Sequence, residues 1–215
     1  MNAVVFLVDD DPSFRRALVR LLISRNYHAR AYGSAFEFLQ EQLPDVPGCL
    51  ILDLKMPEMN GLDIQNALGQ RGEHLPVIFL SGQGDISTSV QAMKAGAVDF
   101  LTKPVDEEKL VSVVHAALER SARMRAGLQA LRRDKEAFES LTPRERDVCI
   151  RIAQGLLNKQ VGFELGTTEK TVKAQRARVM QKLGASSLAD VVRLVERLRT
   201  SGGIPISGSV TDNTR

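Results

Sequence analysis

The 215-residue sequence has little cysteine and no long apolar run. Its two cysteines, Cys49 and Cys149, lie far apart and have no Cys-x-x-Cys spacing, so neither a disulfide framework nor a zinc site is expected. We expect both to be small buried residues. No stretch reaches the roughly 20 apolar residues of a transmembrane helix, and Met1 leads into VVFLVDDD without a basic leader. We therefore predict a cytoplasmic protein with no membrane partner.

The two halves of the chain carry opposite charge. Residues 1–120 contain 11 Lys and Arg against 16 Asp and Glu, whereas residues 121–215 contain 18 against 10. A composition that is 43% hydrophobic and 26% charged is ordinary for a globular protein and leaves room for two small domains. The basic half favours an anionic partner, nucleic acid above all, although a basic solvated surface would have the same composition.

The first half alternates short apolar runs with helical patterns. The runs span residues 4–8, 28–32, 49–53, 77–81 and 99–102, and each is followed by a segment with helical spacing of apolar residues. Nearly continuous apolar strands separated by helices are typical of a parallel sheet that is covered on both faces. We predict a doubly wound α/β domain with strand order 2-1-3-4-5, in which ligands bind beyond the carboxyl ends of strands one and three.

Acidic residues follow two of the predicted strands. Asp9 and Asp10 come directly after strand one and Asp53 closes strand three, so their carboxylates should meet at one edge of the sheet. Clustered carboxylates require a compensating cation, and Mg²⁺ suits oxygen ligands. Ser81 ends strand four and Lys103 follows strand five, which adds a hydroxyl and an ammonium. The combination suits phosphoryl transfer with Asp53 as the nucleophile.

Taken alone, an Asp at a strand end is more often a turn former or a helix cap, and a single Ser or Lys there indicates little. The segments VDDD, LDLKMP, LSG and AGAVDFLTKP, however, occur in order, each at a strand end. Through them residues 1 to about 120 resemble the receiver domains of response regulators. The resemblance implies that a sensor histidine kinase phosphorylates Asp53. It also implies a Mg²⁺ held by Asp10, Asp53 and the Lys55 carbonyl, with Asp9 assisting through water and Asp11 peripheral.

The same resemblance assigns roles along the rest of the edge. Ser81 and Lys103 would contact the phosphoryl group, and Phe100 would be an aromatic switch that rotates inward when Ser81 moves, unless it is simply part of the core. The Lys103–Pro104 bond is expected to be cis. Lys55 and Gln83 would tune how fast the phosphoryl group is hydrolysed.

Between the halves, apolar residues recur at alternating steps of four and three, which is typical of a coiled-coil seam. A dimerising seam and a helix that packs on its own sheet before continuing into a charged linker explain this pattern equally well. The pattern comprises Leu110, Val114, Ala117, Ser121, Met124, Leu128, Leu131, Lys135 and Phe138, of which Ser121 and Lys135 weaken a seam.

The second half contains strong helix boundaries. In LTPRE, Thr142 suits an N-cap, Pro143 the first helical position and Glu145 the reciprocal cap, so a helix should begin there and end near Gly155. A short helix over residues 158–165 should end at Gly166. A third should open after Thr167 and Thr168. On it Val172, Val179 and Leu183 should face the core, opposite a basic face.

Residues 141 to about 198 resemble the LuxR-type helix-turn-helix domain, through LTPRERDV, NKQVGFELGTTEKTVKAQRARVMQKLG and a closing helix from Ser187. With the receiver, this is the NarL/FixJ arrangement. The resemblance implies promoter DNA, a phosphorylation-promoted homodimer and RNA polymerase as partners. The residues it places near bases are Lys173, Ala174 and Ala177, and those it places near phosphates are Lys170, Thr171, Arg176 and Arg178.

Two residues of this domain depart from the family pattern. Gly162 stands where alanine is usual, at a cost of about 1 kcal/mol in helix propensity. Gln175 stands at a position where the family frequently has histidine. These departures leave the fold intact but obscure the preferred DNA sequence.

We predict a receiver domain over 1–120, a helical linker over 121–138, a helix-turn-helix domain over 139–200 and a disordered tail over 201–215. The resulting function is control of transcription through a phosphoryl group on Asp53, without enzymatic action on other molecules. One alternative is a DNA-binding regulator that does not depend on phosphorylation. Another is an aspartyl-nucleophile phosphatase of the haloacid dehalogenase type, whose DxD signature is missing after strand one.

Overall fold

The computed structural model describes residues 3–57, 59–82 and 86–202, without the side chains of residues 86–89. Gln83 and residues 203–215 of the predicted tail lie outside the described residues. The chain divides into two compact units, Met1–Ala126 and Gly127–Arg215. No helix among the described residues is long and apolar enough to cross a membrane.

The first unit is an α/β domain built on five parallel strands in the order β2-β1-β3-β4-β5. This confirms the predicted fold and strand order. The strands are β1 (Val4–Val8), β2 (His28–Tyr32), β3 (Gly48–Asp53), β4 (Val77–Ser81) and β5 (Asp99–Thr102). The helices are α1 (Pro12–Ser24), α2 (Ala35–Leu39), α3 (Gly61–Gln70), α4 (Ile86–Lys94) and α5 (Glu107–Glu139), the last of which continues into the second unit.

The three central strands are buried along their whole length. Because successive side chains of a strand point to opposite faces, they supply two separate apolar cores. Phe6, Leu52 and Phe79 pack on one face with α2 and α3, and Leu7 and Ile51 pack on the other with α1 and α5. The double cover holds the carboxyl ends of β1, β3 and β4 rigidly along one edge.

Both cysteines are buried, which confirms the prediction that they are small buried residues. Burial raises the pKa of each thiol to about 12. A thiol that stays protonated is a poor nucleophile and a poor metal ligand. Cys49 and Cys149 therefore act as small core residues.

Helix α5 keeps contact with the rest of the first unit as far as Arg125. Ser121 is buried, and its Oγ accepts a hydrogen bond of 3.1 Å from the backbone N–H of Gly48 at the start of β3. One turn later, Arg125 forms an ion pair with Asp45. The polar Ser121 that interrupts the apolar repeat thus has a partner within its own unit.

The remainder of α5 belongs to the second unit. Phe138 is buried in that unit's core, and Arg197 donates a hydrogen bond of 2.7 Å to Asp134. Leu131 packs against the same core, whereas Leu128 is 54% exposed. The repeat along α5 is therefore divided between the two units, and its exposed members are Leu128 and Lys135.

After α5, the second unit contains α6 (Pro143–Ala153), α7 (Asn158–Glu164), α8 (Glu169–Lys182) and α9 (Leu188–Thr200). The predicted caps are present. Thr142 and Glu145 form a reciprocal capping box on α6, Gly166 has the left-handed φ of +59° after α7, and Thr168 caps α8. Local capping chemistry was therefore sufficient to place these helix boundaries.

Gly162 allows a close approach between α7 and the turn before α8. A Cβ built on Gly162 would lie 3.0 Å from the carbonyl oxygen of Thr167. The Gly162 carbonyl also accepts a 2.8 Å hydrogen bond from the backbone N–H of Thr167. The helix-propensity cost of glycine is thus accompanied by a close junction between α7 and α8.

Glu145 ties the start of α6 to the end of α8. It is buried, and it accepts hydrogen bonds from Lys182 Nζ at 2.7 Å and from the Thr142 backbone N–H at 2.9 Å. The hydrogen bond from Lys182, followed by that from Thr142, lowers the pKa of Glu145 to about 2, against an ordinary value of 4.5. The carboxylate is therefore an anion throughout the neutral range.

This pKa shift makes the stability of the second unit depend on pH. Because its pKa is lower in the folded state, ionised Glu145 contributes its full stabilisation above the unfolded pKa of 4.5. That contribution is lost as pH falls toward the folded pKa of about 2. We expect Glu145→Gln to lower amide-exchange protection in α6 and α8 at neutral pH, with a deficit that shrinks below pH 4.5. Exchange measured by NMR on the full chain checks this. Glu139→Gln, at an exposed surface pair, should behave like wild type; a pH-independent deficit would contradict the prediction.

Candidate functional site: an acidic cluster and a basic helix face

Residues at or directly after the ends of three strands meet at one edge of the sheet. Asp9 follows β1, Asp53 is the last residue of β3, and Lys103 follows β5. Lys103 Nζ donates hydrogen bonds of 2.6 Å to Asp9 Oδ2 and 2.7 Å to Asp53 Oδ2. One ammonium therefore joins two carboxylates that are 94 and 50 residues distant from it in the chain.

The acidic side chains differ in exposure. Asp9 is completely buried and Asp53 is 7% exposed, whereas Asp10 is exposed. Asp9 Oδ1 accepts the backbone N–H of Asp11 at 2.9 Å, and Asp53 Oδ1 accepts that of Lys55 at 3.1 Å. These bonds orient both carboxylates so that their Oδ2 atoms share the lysine.

Burial raises the pKa of the Asp9 carboxyl, against the opposing effects of its hydrogen bonds from Lys103 and Asp11. Burial acts to lower the pKa of the Lys103 ammonium, but its hydrogen bonds to Asp53 and Asp9 outweigh this and the net shift is upward. Lys103 therefore remains a cation at neutral pH. It supplies positive charge to a cluster whose carboxylates otherwise repel one another.

The cluster has the donor set of a divalent-cation site. One carboxylate oxygen from each of Asp9, Asp10 and Asp53 lies within 4.8 Å of the others. Carboxylate oxygens of this kind, combined with water, are the usual ligands of Mg²⁺ in proteins. Asp11 lies outside this group, because its carboxylate caps α1 by accepting the backbone N–H of Ser13 at 2.7 Å.

Two further predicted residues lie along the same edge. Ser81 is completely buried at the end of β4, and its Oγ has no hydrogen-bond partner among the described residues. Phe100 in β5 is half-buried against the core that contains Phe79. The Lys103–Pro104 peptide bond is cis, as the receiver resemblance implied.

Two residues that support the cluster were missed in the sequence. Arg15 donates a 2.5 Å hydrogen bond to the backbone carbonyl of Asp9, which anchors the loop after β1. A Cβ on Gly61 would lie 2.7 Å from Phe79 Cε1 and 2.9 Å from the carbonyl oxygen of Asp53, so glycine alone fits there. The dipeptide Asn60–Gly61 ahead of an apolar helix was an available signal for Gly61; Arg15 had none.

Helix α8 presents a basic outer face. Val172 and Val179 are buried in the core of the second unit, and Leu183 packs against that core. The opposite side is exposed and comprises Lys170, Thr171, Lys173, Ala174, Ala177 and Arg178. Small residues between cations are compatible with close approach to a nucleic-acid groove.

The structure changes the description of this face at two positions. Arg176 is half-buried and donates a 3.3 Å hydrogen bond to Asn158 Oδ1 on α7, so its guanidinium has a partner within the unit. Gln181 is exposed and lies one helical turn beyond Ala177, on the same side of α8. The spacing of four residues was a signal that could have included Gln181.

Two family models match the chain. Residues 5–115 match the family model described as response regulator receiver domain. Residues 139–195 match the model described as bacterial regulatory proteins, luxR family. The two matches occur in the order expected from the sequence.

Relatives match nearly the whole chain. Nodulation protein W of Bradyrhizobium diazoefficiens is 47% identical, over 93% of this chain and 88% of its own length. The transcriptional regulatory protein FixJ of Azorhizobium caulinodans is 38% identical, over 88% of this chain and 90% of its own length. The solved structure of response regulator StyR is 40% identical with a TM-score of 0.82, covering 92% of this chain and 100% of StyR. The chain belongs to the NarL/FixJ family of response regulators, with a receiver domain and a LuxR-type DNA-binding domain.

Proposed function

We propose that a sensor histidine kinase phosphorylates Asp53 and that this modification controls how α8 binds promoter DNA. The observation that carries the proposal is the pairing of Lys103 Nζ with Asp53 Oδ2 at 2.7 Å inside an acidic cluster. A carboxylate that is nearly buried and held beside a cation is oriented for attack on a phosphoryl group. The chain acts on itself and on DNA, and we assign no turnover of free phosphate esters to it.

In the transfer step, an Asp53 carboxylate oxygen attacks phosphorus of the phosphorylated histidine. The new oxygen–phosphorus bond forms as the phosphorus–nitrogen bond breaks. The electron pair of the broken bond returns to the imidazole nitrogen. Lys103 offsets charge on the phosphoryl oxygens. Later attack by water regenerates the Asp53 carboxylate and inorganic phosphate.

Asp10, Asp53 and the Lys55 carbonyl would hold Mg²⁺, with Asp9 assisting through water. When bound, the ion would neutralise charge on the phosphoryl oxygens. The three-carboxylate donor set supports this assignment. Lys103 would remain the fixed cation of the site when Mg²⁺ is removed, so a chelator should slow phosphorylation without unfolding the receiver.

Ser81 and Phe100 would transmit the effect of phosphorylation at Asp53 to the rest of the receiver. A buried Ser81 hydroxyl without a partner among the described residues is free to bond a phosphoryl oxygen. Movement of Ser81 would open space that the half-buried Phe100 ring can enter. The two rotations together would bias the receiver between two states.

We assign residues 1–120 to the receiver, 121–138 to the linker and 139–200 to the DNA-binding domain. The family matches over 5–115 and 139–195 support this division, although the compact units divide nearer residue 126. Two phosphorylated copies would bind two DNA half-sites, and RNA polymerase would be recruited there. We propose no seam through all of α5, because Ser121 is bonded to Gly48 within the first unit and Phe138 is buried in the core of the second.

The proposal predicts that phosphorylation tightens DNA binding. Duplexes are selected from a random library with the acetyl phosphate-treated and the untreated full chain, and each form is titrated against each selected duplex. We expect roughly 5- to 150-fold tighter binding by the phosphorylated form, together with dimers in sedimentation. Equal affinity and equal oligomeric state would instead favour a regulator that does not depend on phosphorylation. Sustained phosphate release from free esters would favour a phosphatase.

A further inference from the structure

Besides the carboxylates of Asp9 and Asp53, the ammonium of Lys103 contacts the ring of Phe14. Lys103 Nζ lies 4.2 Å from the centre of the Phe14 ring, over its face. Phe14 is in the first turn of α1, where its backbone N–H donates to Asp11 Oδ1 at 3.2 Å. Its ring is half-buried against the core on the α1 side of the sheet.

This contact differs in kind from those with Asp9 and Asp53. The face of an aromatic ring is negative, so it attracts a cation placed over it, and more strongly where water is partly excluded. The Lys103 side chain is only 20% exposed. Phe14 therefore attracts the ammonium without adding a negative charge to a cluster that already contains three carboxylates.

We propose that Phe14 is a positioning residue for phosphoryl transfer, whose ring face holds the Lys103 ammonium at the carboxylate cluster before and after Asp53 is modified. The inference rests on the proposed phosphorylation of Asp53. Phosphorylation turns the Asp53 carboxylate into an acyl phosphate and so changes its charge and its available oxygens, and incoming phosphate or Mg²⁺ competes for the same carboxylates. The Phe14 ring is unaltered by these events, so it keeps a long, flexible lysine side chain from leaving the site.

The decisive comparison uses acetyl phosphate with the full chain and Mg²⁺, so that kinase docking does not enter. Phe14→Leu removes the aromatic face and keeps an apolar side chain, whereas Phe14→Tyr keeps the face. Val19→Ala is the matched control, because Val19 lies on the same helix against the same core. We expect the phosphorylation rate constant of Phe14→Leu to fall by about threefold to tenfold. Phe14→Tyr and Val19→Ala should remain near wild type.

The chemical shift of the Lys103 side chain, measured by NMR, separates a contact with the ring face from a general packing role of Phe14. A ring that lies over the Lys103 ammonium should shift the Lys103 Cε protons upfield in wild type and Phe14→Tyr, but not in Phe14→Leu. An unchanged rate or an unchanged Lys103 shift in Phe14→Leu would overturn the proposal, as would an equal rate loss in Val19→Ala. If wild type itself takes up no phosphoryl group, the phosphorylation of Asp53 is wrong and the role of Phe14 falls with it. If wild type is phosphorylated and only Phe14→Leu reacts more slowly, the result supports both the phosphorylation of Asp53 and the positioning role of Phe14.

Discussion

Asp53→Asn is expected to abolish incorporation of a phosphoryl group from acetyl phosphate. The amide is a far weaker nucleophile than the carboxylate, and it removes one negative ligand from the proposed Mg²⁺ site. Intact mass spectrometry of treated samples measures the result directly. Asp63→Asn changes an exposed carboxylate in the first turn of α3 and should be modified like wild type.

The loss should be chemical and not a failure to fold. In Asp53→Asn the Lys103 ammonium retains its 2.6 Å partner Asp9, and one source of repulsion in the acidic cluster disappears. We expect a thermal unfolding midpoint no lower than that of wild type. A single phosphoryl group on Asp53→Asn at the wild-type rate would show that another residue is the acceptor.

Lys173→Glu should have the largest effect on DNA binding. Lys173 is exposed on the outer face of α8 and makes no ion pair within the described part of the chain, so its replacement should leave the fold unchanged. Reversal of its charge replaces attraction to DNA by repulsion. We expect affinity for the selected duplex to fall by at least about tenfold and the slope of log affinity against log salt to become shallower by about one per subunit or more.

The matched control is Arg133→Glu, which makes the same change of charge on an exposed position of α5. Both proteins are titrated against the same duplex over a range of salt concentrations. An equal loss of affinity in the two variants would mean that only total charge matters. That result would remove the assignment of α8 as the recognition helix.

The sequence by itself determined the parallel sheet, the edge that carries the acidic cluster and the helix boundaries of the second unit. Each depends on short-range or periodic rules. Apolar runs identify buried strands, Asp53 at a strand end must lie on the carboxyl edge, and Thr142 with Glu145 forms a cap from residues three apart. The charge contrast between the halves coincides with matches to two different families.

The tertiary structure decided what depends on contacts between distant segments. Ser121 interrupts an apolar repeat in the sequence, yet in the fold it bonds Gly48, 73 residues away. Gly61 is required because Phe79 and the Asp53 carbonyl approach it. Phe14 has the spacing of an ordinary core residue, and only the fold brings its ring to the Lys103 ammonium, which lies 89 residues later in the chain. Periodicity reports which face of an element is buried, but not which distant side chain it meets.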